Sequence, residues 1–549
     1  MSAYHEITQN AVRTFLQNVV VVDNEATYDT YAQPEEVLVE PDPRGGGEVE
    51  EEGNANEPTN LLDAKMLTES FASAGLVCSI LKPAADDDLT DQLKNAANNA
   101  DIFVVDWDLV AGDHGAKAKG IIKSIVEMDA LRRERLRLIS IYTAEPNTSE
   151  IRDLVASDLQ ELVGDLVADD EETDSGVRFV AKNGNMRIVV IRKGASDDGP
   201  TGERVGEANL AERLVEEFSL LTHGILPTVG LACISAIRNE TYRLLSRFHA
   251  GLDASYLLHR CILSQPDEAQ SFAAELVGSE IHAIVEAHLN LSDYVGESAI
   301  HAKLSDMRDA GHLFKLNVGD IPDGEIDLDQ VKEIASRGKV AVKDFDQVSG
   351  KAFVKFERAP QKLMKELLHL SDDAGEQANL EFARISSFKR ESWGSSLTPK
   401  DWLPQLSRGT VVRRNADDSD RYWVCLQPIC DCVRIHEKSP FLFAELRIST
   451  GDSFDLVARN AKDQDIKLAL ESSPGRLQQI IFSGSKHHGN VVVAEAENGL
   501  NYFRSGDEKY EWIGDLRSAI ASRLVHHVTT QLSRVGLDEF EWQRLQATN

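Results

Sequence analysis

The chain of 549 residues is too long for a single hydrophobic core and predicts three or four domains of ~150 residues each. Its 91 acidic and 58 basic residues give a net charge of −33, which would repel a nucleic-acid backbone, and no basic patch offsets this charge. No stretch approaches the ~20 apolar residues of a membrane span, and the start of the sequence has no apolar signal core. The cysteines are too few for a disulfide framework, so we expect a cytoplasmic protein.

Apolar runs alternate with amphipathic segments over about the first 220 residues. The predicted strands are Val19–Val22, Leu76–Leu81, Ile102–Val105, Leu136–Tyr142 and Met186–Ile191. The predicted helices are Leu61–Ala74, Leu89–Ala97, Ala116–Met128, Ser149–Val163 and Leu210–Leu221. Five strands alternating with five helices predict a flavodoxin-like α/β domain, whose parallel sheet has the order 2-1-3-4-5.

Two acidic segments interrupt this alternation. Residues 28–60 hold Gly45-Gly46-Gly47, four prolines and many glutamates, which predicts a disordered insertion after the first strand. A second acidic loop, around Asp169-Asp170-Glu171-Glu172, precedes the fifth strand.

The pattern changes twice in the rest of the chain. It becomes helical after Gly224, with predicted helices at 227–247, 254–263, 266–289, 298–309, 327–337, 359–371 and 379–388. From about Ser392 it favours strands, at 422–426, 441–448, 454–458, 466–470, 480–483 and 491–494, before a final helix at 515–534. We therefore predict a domain at 1–222, an all-α region at 223–390 and a β-rich module with a C-terminal helix at 391–549.

Polar side chains follow four of the five N-terminal strands. The first strand is followed by Asp23, Asn24 and Glu25, the third by Asp106 and Asp108, the fourth by Thr143 and the fifth by Lys193. The carboxyl ends of parallel strands share one edge of a sheet, so several carboxylates would converge there and require a hard cation such as Mg²⁺. A carboxylate in such a site can attack phosphorus, while a lysine and a hydroxyl hold the phosphoryl oxygens.

Four short segments resemble, in order, the signatures of two-component response-regulator receiver domains. They are Val22-Asp23-Asn24-Glu25, Val104-Val105-Asp106-Trp107-Asp108-Leu109, Tyr142-Thr143-Ala144-Glu145 and Arg192-Lys193-Gly194. The resemblance covers about the first 220 residues and implies a sensor histidine kinase as partner and Mg²⁺ as cofactor.

The resemblance also implies a role for each residue of the acidic cluster. Asp106 would accept the phosphoryl group, Lys193 would pair with it, and Thr143 would bond it after transfer. The Mg²⁺ ligands would be Asp23, the next acidic side chain, Asp106 and the backbone carbonyl of Asp108.

The sequence departs from the family pattern in three places. Asn24 stands where a second acidic residue is usual, which leaves open whether Glu25 substitutes or Mg²⁺ binds more weakly. Gly194 replaces a proline, and Val190 occupies the place of the aromatic switch residue. These departures and the long insertions resemble a divergent receiver subclass associated with bacterial anti-phage two-component systems.

Two other functions remain open. Asp106-Trp107-Asp108-Leu109-Val110 also fits the D-x-D-x-[TV] motif of haloacid-dehalogenase-like phosphatases, with Thr143, Lys193 and Asp169-Asp170 available for the remaining motifs. Against it, that motif normally follows the first strand of its fold. The third possibility is a pseudo-receiver that serves as a scaffold without turnover.

The C-terminal regions carry no Walker loop, G-x-S-x-G or H-E-x-x-H motif, so we expect no enzymatic activity beyond phosphorylation and dephosphorylation of the receiver. Output through protein contacts, or a phosphate sink without output, fits better than transcriptional control. Cys425, Cys430, Cys432 and His436 lie close together but not at a common zinc spacing, and core packing on a strand is the favoured interpretation.

Overall fold

The structure is a computed structural model that describes most of the chain. The described residues are 2–28, 61–83, 90–110, 112–132, 135–163, 167–168, 178–180, 185–194, 199, 201–202, 204–263, 266, 268–288, 290–358, 360–370, 372–392, 402–416, 419–451, 453–460 and 464–532. The chain divides into two compact units, one of residues 1–247, 279–313 and 328–341 and the other of residues 248–278, 314–327 and 342–549. The predicted insertion at 28–60 lies outside the described residues apart from Tyr28.

The N-terminal part is an α/β domain built on a parallel sheet. Its elements in chain order are α1 (Ala3–Phe15), β1 (Asn18–Val22), β2 (Ala26–Thr27), β3 (Leu62–Asp63), α2 (Ala64–Ser73), β4 (Val77–Leu81), α3 (Thr90–Ala97), β5 (Ile102–Val105), α4 (Ala116–Arg132), β6 (Arg137–Thr143), α5 (Thr148–Val163), β7 (Val167–Ala168), β8 (Arg178–Val180), β9 (Met186–Lys193), β10 (Arg204–Val205) and α6 (Glu207–Leu221). The order β4-β1-β5-β6-β9 confirms the predicted order 2-1-3-4-5, because these are the five predicted strands.

The sheet has more strands than the sequence predicts. Strands β8 and β7 extend it beyond β9 as antiparallel neighbours, and β10 pairs with the carboxyl end of β9 in parallel. None of these short strands contains an apolar run long enough to be recognised.

Apolar side chains fill both faces of this sheet. Alternate residues of β1 point to opposite faces, so Val19 and Val21 pack with α2 and α6, whereas Val20 and Val22 pack with α3 and α4. Helix α1 was not among the predicted helices, although its residues lie within the predicted domain at 1–222. It begins at Ser2, whose side chain accepts a hydrogen bond from the His5 N–H, and it buries Ala11 and Val12 in the α2–α6 layer.

The middle of the chain is all-helical, as predicted. Its helices are α7 (Ile225–Arg247), α8 (Asp253–Ile262), α9 (Glu268–His288), α10 (Ser292–Val295), α11 (Glu297–Asp309), α12 (Leu328–Arg337), α13 (Gly350–Glu357), α14 (Pro360–Leu367) and α15 (Asp373–Ser387). These helices are divided between the two units, and the predicted boundaries at 222 and 390 stay predictions. Among the described residues, no helix has the length and apolar character needed to cross a bilayer.

The C-terminal region is β-rich, as predicted, and ends in a helix. Its elements are β11 (Phe388–Glu391), β12 (Thr410–Ala416), β13 (Ser419–Cys425), β14 (Lys438–Ile448), β15 (Leu456–Arg459), β16 (Asp465–Leu470), β17 (Leu477–Ser483), β18 (Glu495–Glu497), β19 (Leu500–Ser505), β20 (Glu508–Leu516) and α16 (Ser518–Leu532). They form an antiparallel sheet of order β15-β16-β14-β13-β12-β20-β19-β18, with β11 added to β20 and β17 to β14.

Two predictions for this region were wrong. Residues 491–494 make isolated bridges from Val491 and Val493 rather than a strand. Asp515 was predicted to begin the last helix, but it lies in β20, where its carboxylate accepts a hydrogen bond from the Thr410 hydroxyl.

Candidate functional site

The carboxyl ends of β1, β5, β6 and β9 bring the predicted polar residues to one edge of the sheet. Val22 of β1 pairs with Val105 of β5, so the residues that follow, Asp23 and Asp106, leave neighbouring strands at the same level. Both carboxylates are buried, and so is the Thr143 side chain. The crevice predicted from the sequence is therefore present, and it is largely closed to solvent.

Lys193 joins the two aspartates. Its Nζ lies 2.7 Å from Asp23 Oδ2 and 2.9 Å from Asp106 Oδ1. Burial alone lowers the pKa of this ammonium group, but the attraction and hydrogen bonds of the two carboxylates outweigh burial and raise the pKa above its ordinary value. Lys193 is therefore a permanent positive charge in the crevice.

The ionisation of Asp106 is strongly perturbed. Its pKa is raised to about 6, foremost by burial, while Asp23 and Asp108 add repulsion and Lys193 acts in the opposite direction. The carboxylate is still largely ionised at neutral pH. Because it is desolvated, its oxygens are poorly stabilised by water and well placed to form a bond to an electrophile.

The turn after β1 provides oxygen atoms that fit a hard cation. Asp23 Oδ1 accepts the Glu25 N–H at 2.7 Å, which holds the turn closed. The Oδ1 atom of Asn24 is buried and has no hydrogen-bond partner among the described residues, and a buried oxygen without a partner costs free energy that a cation would recover. Carboxylate and amide oxygens are ligands that Mg²⁺ accepts.

The residues present thus fit Mg²⁺, although no three His, Cys, Asp or Glu side chains of the described chain are gathered closely enough to hold a metal by themselves. The groups that would hold it are Asp23, the Asn24 amide oxygen, Asp106 and the backbone carbonyl of Asp108. Glu25 contributes its backbone to the turn, and its predicted role as a ligand stays a prediction.

Thr143 is buried at the end of β6, whereas Asp108 lies at the rim of the crevice. The Thr143 hydroxyl oxygen accepts the Glu145 N–H at 3.1 Å, so it is held at the start of the loop after β6. Asp108 is half-buried, and its pKa is raised by burial and then by repulsion from Glu145 and Asp113. The rim therefore carries concentrated negative charge.

The loop after Asp106 is fixed by a contact that the sequence analysis missed. Gly115 has φ +76°, and a Cβ atom placed there would lie 2.1 Å from Trp107 Cε2, so the indole lies directly against the glycine backbone. Asp113 accepts the N–H groups of Gly115 and Lys117, both at 3.0 Å, and so caps the first turn of α4. A glycine shortly after a buried tryptophan was the available signal.

Tyr142 was also missed. Its ring centroid lies 5.5 Å from Lys193 Nζ, and its hydroxyl donates to the Val205 carbonyl at 2.7 Å. An aromatic residue directly before Thr143 on an otherwise aliphatic strand was the signal. Val190, the expected position of an aromatic switch residue, is buried in the apolar layer with α3 and α4.

Two remaining groups of candidate residues lie elsewhere. Asp169 and Asp170, which a phosphatase would need, are outside the described residues. Cys425 and Cys432 are buried together in the apolar layer of the β-rich unit, while Cys430 is exposed on a 3₁₀ turn, Ile429–Asp431, rather than on the predicted strand.

Comparison with known proteins agrees with the geometry of the N-terminal domain. No curated protein and no solved structure matches the chain significantly. Residues 15–198 match the model of a protein family described as response receiver domain, and this span holds every residue of the crevice. Residues 15–198, about a third of the chain, are therefore similar to a receiver domain, a likeness that suggests a two-component response regulator.

Proposed function

We propose that this protein accepts a phosphoryl group on Asp106 from a sensor histidine kinase, with Mg²⁺ as cofactor. The observation that carries the proposal is the contact of one lysine with two buried aspartates. Lys193 lies within 3 Å of both Asp23 and Asp106 at the carboxyl edge of a receiver-type sheet. A structural ion pair would need one carboxylate, whereas a phosphoryl site needs a nucleophile and a separate carboxylate for the cation.

The reaction is a transfer from nitrogen to oxygen. A carboxylate oxygen of Asp106 forms a bond to phosphorus as the P–N bond to the kinase histidine breaks. The imidazole keeps the electron pair of that bond and takes up a proton. Bound Mg²⁺ would neutralise charge on the phosphoryl oxygens.

The residues around Asp106 prepare the acceptor and receive the product. Lys193 is already charged and within hydrogen-bond distance, so it can turn from the carboxylates to a phosphoryl oxygen without a change of protonation. Thr143 has a buried hydroxyl at the end of β6 that can donate to the same group once its loop moves. Burial of Asp106 excludes water that would otherwise compete for these contacts.

The biological setting belongs to the same proposal. The departures at Asn24, Val190 and Gly194 support a divergent receiver of the kind associated with anti-phage two-component systems. The high negative charge disfavours nucleic acid as a direct target, so we propose output through protein contacts or action as a phosphate sink. Plating efficiency of phage on cells that carry the wild-type or the Asp106→Asn protein tests the defence role.

Acetyl phosphate with Mg²⁺ tests the central step. The wild-type protein should gain one phosphoryl group by intact mass, and Asp106→Asn should gain none. As a control, Thr148→Ala removes a hydroxyl from the first residue of α5 and should leave the modification stoichiometric. Multiple turnover of a phosphomonoester would instead indicate a phosphatase, and neither modification nor turnover would indicate a scaffold.

A further inference from the structure

Tyr142 contacts two different parts of the receiver domain at once. Its side chain is 2% exposed and packs in the apolar layer that contains α2 and α6. The Lys193 ammonium lies over its ring at 5.5 Å from the centroid, within the range of a cation–π interaction. The hydroxyl donates a 2.7 Å hydrogen bond to the Val205 carbonyl.

The Val205 carbonyl belongs to a short strand that leads directly into a helix. Val205 is the register partner of Lys193 in the parallel pairing of β10 with β9. Gly206 follows, and α6 begins at Glu207. A displacement of the Tyr142 ring would therefore pull on the backbone at Val205, two residues before α6.

Helix α6 is in turn held on its outer side by α1. Arg13 donates to both carboxylate oxygens of Glu212, and His5 Nε2 lies 3.0 Å from Glu216 Oε2. On the sheet side, the buried Glu217 carboxylate accepts from Arg187 of β9 at 3.0 Å. Because polar contacts hold α6 on both sides, a shift of this helix would also displace α1 or break its contacts with α1 and β9.

We infer that Tyr142 is a positioning residue that transmits the state of Lys193 to β10 and α6, so that phosphorylation of Asp106 is read out through α6 and α1. This inference rests on the proposed function. A phosphoryl group on Asp106 offers Lys193 new anionic oxygens, so the ammonium moves relative to the Tyr142 ring. The ring is tied to the Val205 carbonyl, and the strand before α6 moves with it.

Two substitutions separate the ring from the hydroxyl. Tyr142→Phe keeps the aromatic face under Lys193 and removes the hydrogen bond to Val205. Tyr142→Leu removes both contacts. Tyr256→Phe is a matched control, since Tyr256 also donates its hydroxyl to a backbone carbonyl, that of Ala269, in the other unit of the chain.

Hydrogen exchange of the full-length protein, with and without beryllofluoride and Mg²⁺, is the experiment. In the wild type and in Tyr256→Phe, beryllofluoride should change amide exchange in residues 204–221. Tyr142→Phe should bind beryllofluoride with an affinity within about threefold of wild type yet lose at least half of that change, and Tyr142→Leu should also bind more weakly. If Tyr142 only stabilised the fold, its substitution would change stability equally with and without beryllofluoride. The change in exchange caused by beryllofluoride would then be the same as in the wild type.

The outcomes are distinct. A full exchange response at 204–221 in Tyr142→Phe overturns the inference. So does a wild type that binds beryllofluoride without any response there, although the proposed function then stands. A wild type that does not bind beryllofluoride overturns both.

Discussion

At the scale of single residues, the raised pKa of Asp106 makes stability depend on pH in a defined direction. The pKa is about 6 in the folded protein, whereas the ordinary value for an exposed aspartate is 3.8. The folded state therefore holds the proton more tightly than the unfolded state, and the free energy of unfolding falls as pH rises from about 4 through 6. Below pH 4 the side chain is neutral in both states, so the free-energy cost of burying an ionised carboxylate is absent.

We expect Asp106→Asn to remove the free-energy cost of burying the ionised carboxylate. Relative to wild type, the variant should gain up to about 3 kcal/mol in the free energy of unfolding between pH 4 and pH 8, since one pKa unit corresponds to about 1.4 kcal/mol. Urea unfolding in EDTA at several pH values measures this. A difference between the two proteins that does not vary with pH would contradict it.

Asp108 should control how long the phosphoryl group survives. Burial and its acidic neighbours raise its pKa, and in its ionised form a carboxylate at the rim repels the developing charge of an attacking water. We predict that Asp108→Asn shortens the phosphoaspartate lifetime several-fold, measured by decay of radiolabel. In denaturant both phosphoproteins should decay equally, and a longer lifetime in the folded variant would instead indicate that Asp108 is a general base.

At the scale of elements, the loop between β5 and α4 offers a matched pair of glycines. Gly112 and Gly115 both have φ near +77°. A Cβ atom at Gly112 would meet no atom of the described residues within 4 Å, whereas one at Gly115 would meet the Trp107 ring. Alanine should cost about 1 kcal/mol at Gly112 from backbone strain and an additional 1–3 kcal/mol, roughly, at Gly115 from the clash. Urea unfolding measures the difference, and equal costs would show that the indole moves aside freely.

The elements that could be predicted from the sequence are those with a strong local pattern. The five parallel strands are apolar runs buried on both faces, and the polar residues at their ends follow from the topology. Strands β19 and β20 were missed because charged residues such as Arg504 and Glu511 interrupt their alternation. In the structure Glu511 is buried and paired with Arg413, a long-range contact that no local pattern reveals.

The same distinction applies to the candidate site. Asp23, Asp106, Thr143 and Lys193 could be predicted because each follows a strand. The contact of Tyr142 with Val205 could not, because it joins residues 63 positions apart and depends on how β10 returns to β9. The unpartnered Asn24 oxygen likewise depends on the tertiary surroundings of the turn.

At the scale of the whole molecule, the first helix of the chain is tied to a helix that follows the receiver domain. Leu231 of α7 is buried in the same apolar layer as Ala11 and Val12 of α1. The Arg238 guanidinium lies 4.4 Å from the centroid of the Phe15 ring and donates to the Phe15 carbonyl at 2.7 Å. The boundary predicted at residue 222 would cut through these contacts.

A fragment that ends at residue 222 should therefore be less stable than one that ends at residue 247. Exposure of the α1 surface and loss of Leu231 should lower the free energy of unfolding by about 2 kcal/mol or more, the usual contribution of one buried leucine. Urea unfolding of the two fragments measures this, and in the fragment 1–247 the change Arg238→Ala should reproduce part of that loss of stability. Equal stability of the two fragments would mean that α7 adds nothing to the receiver domain and that the boundary at 222 is correct. If the longer fragment is the more stable, the receiver domain of this protein extends past its own last helix, and α7 is positioned to carry any movement of α6 and α1 toward the rest of the chain.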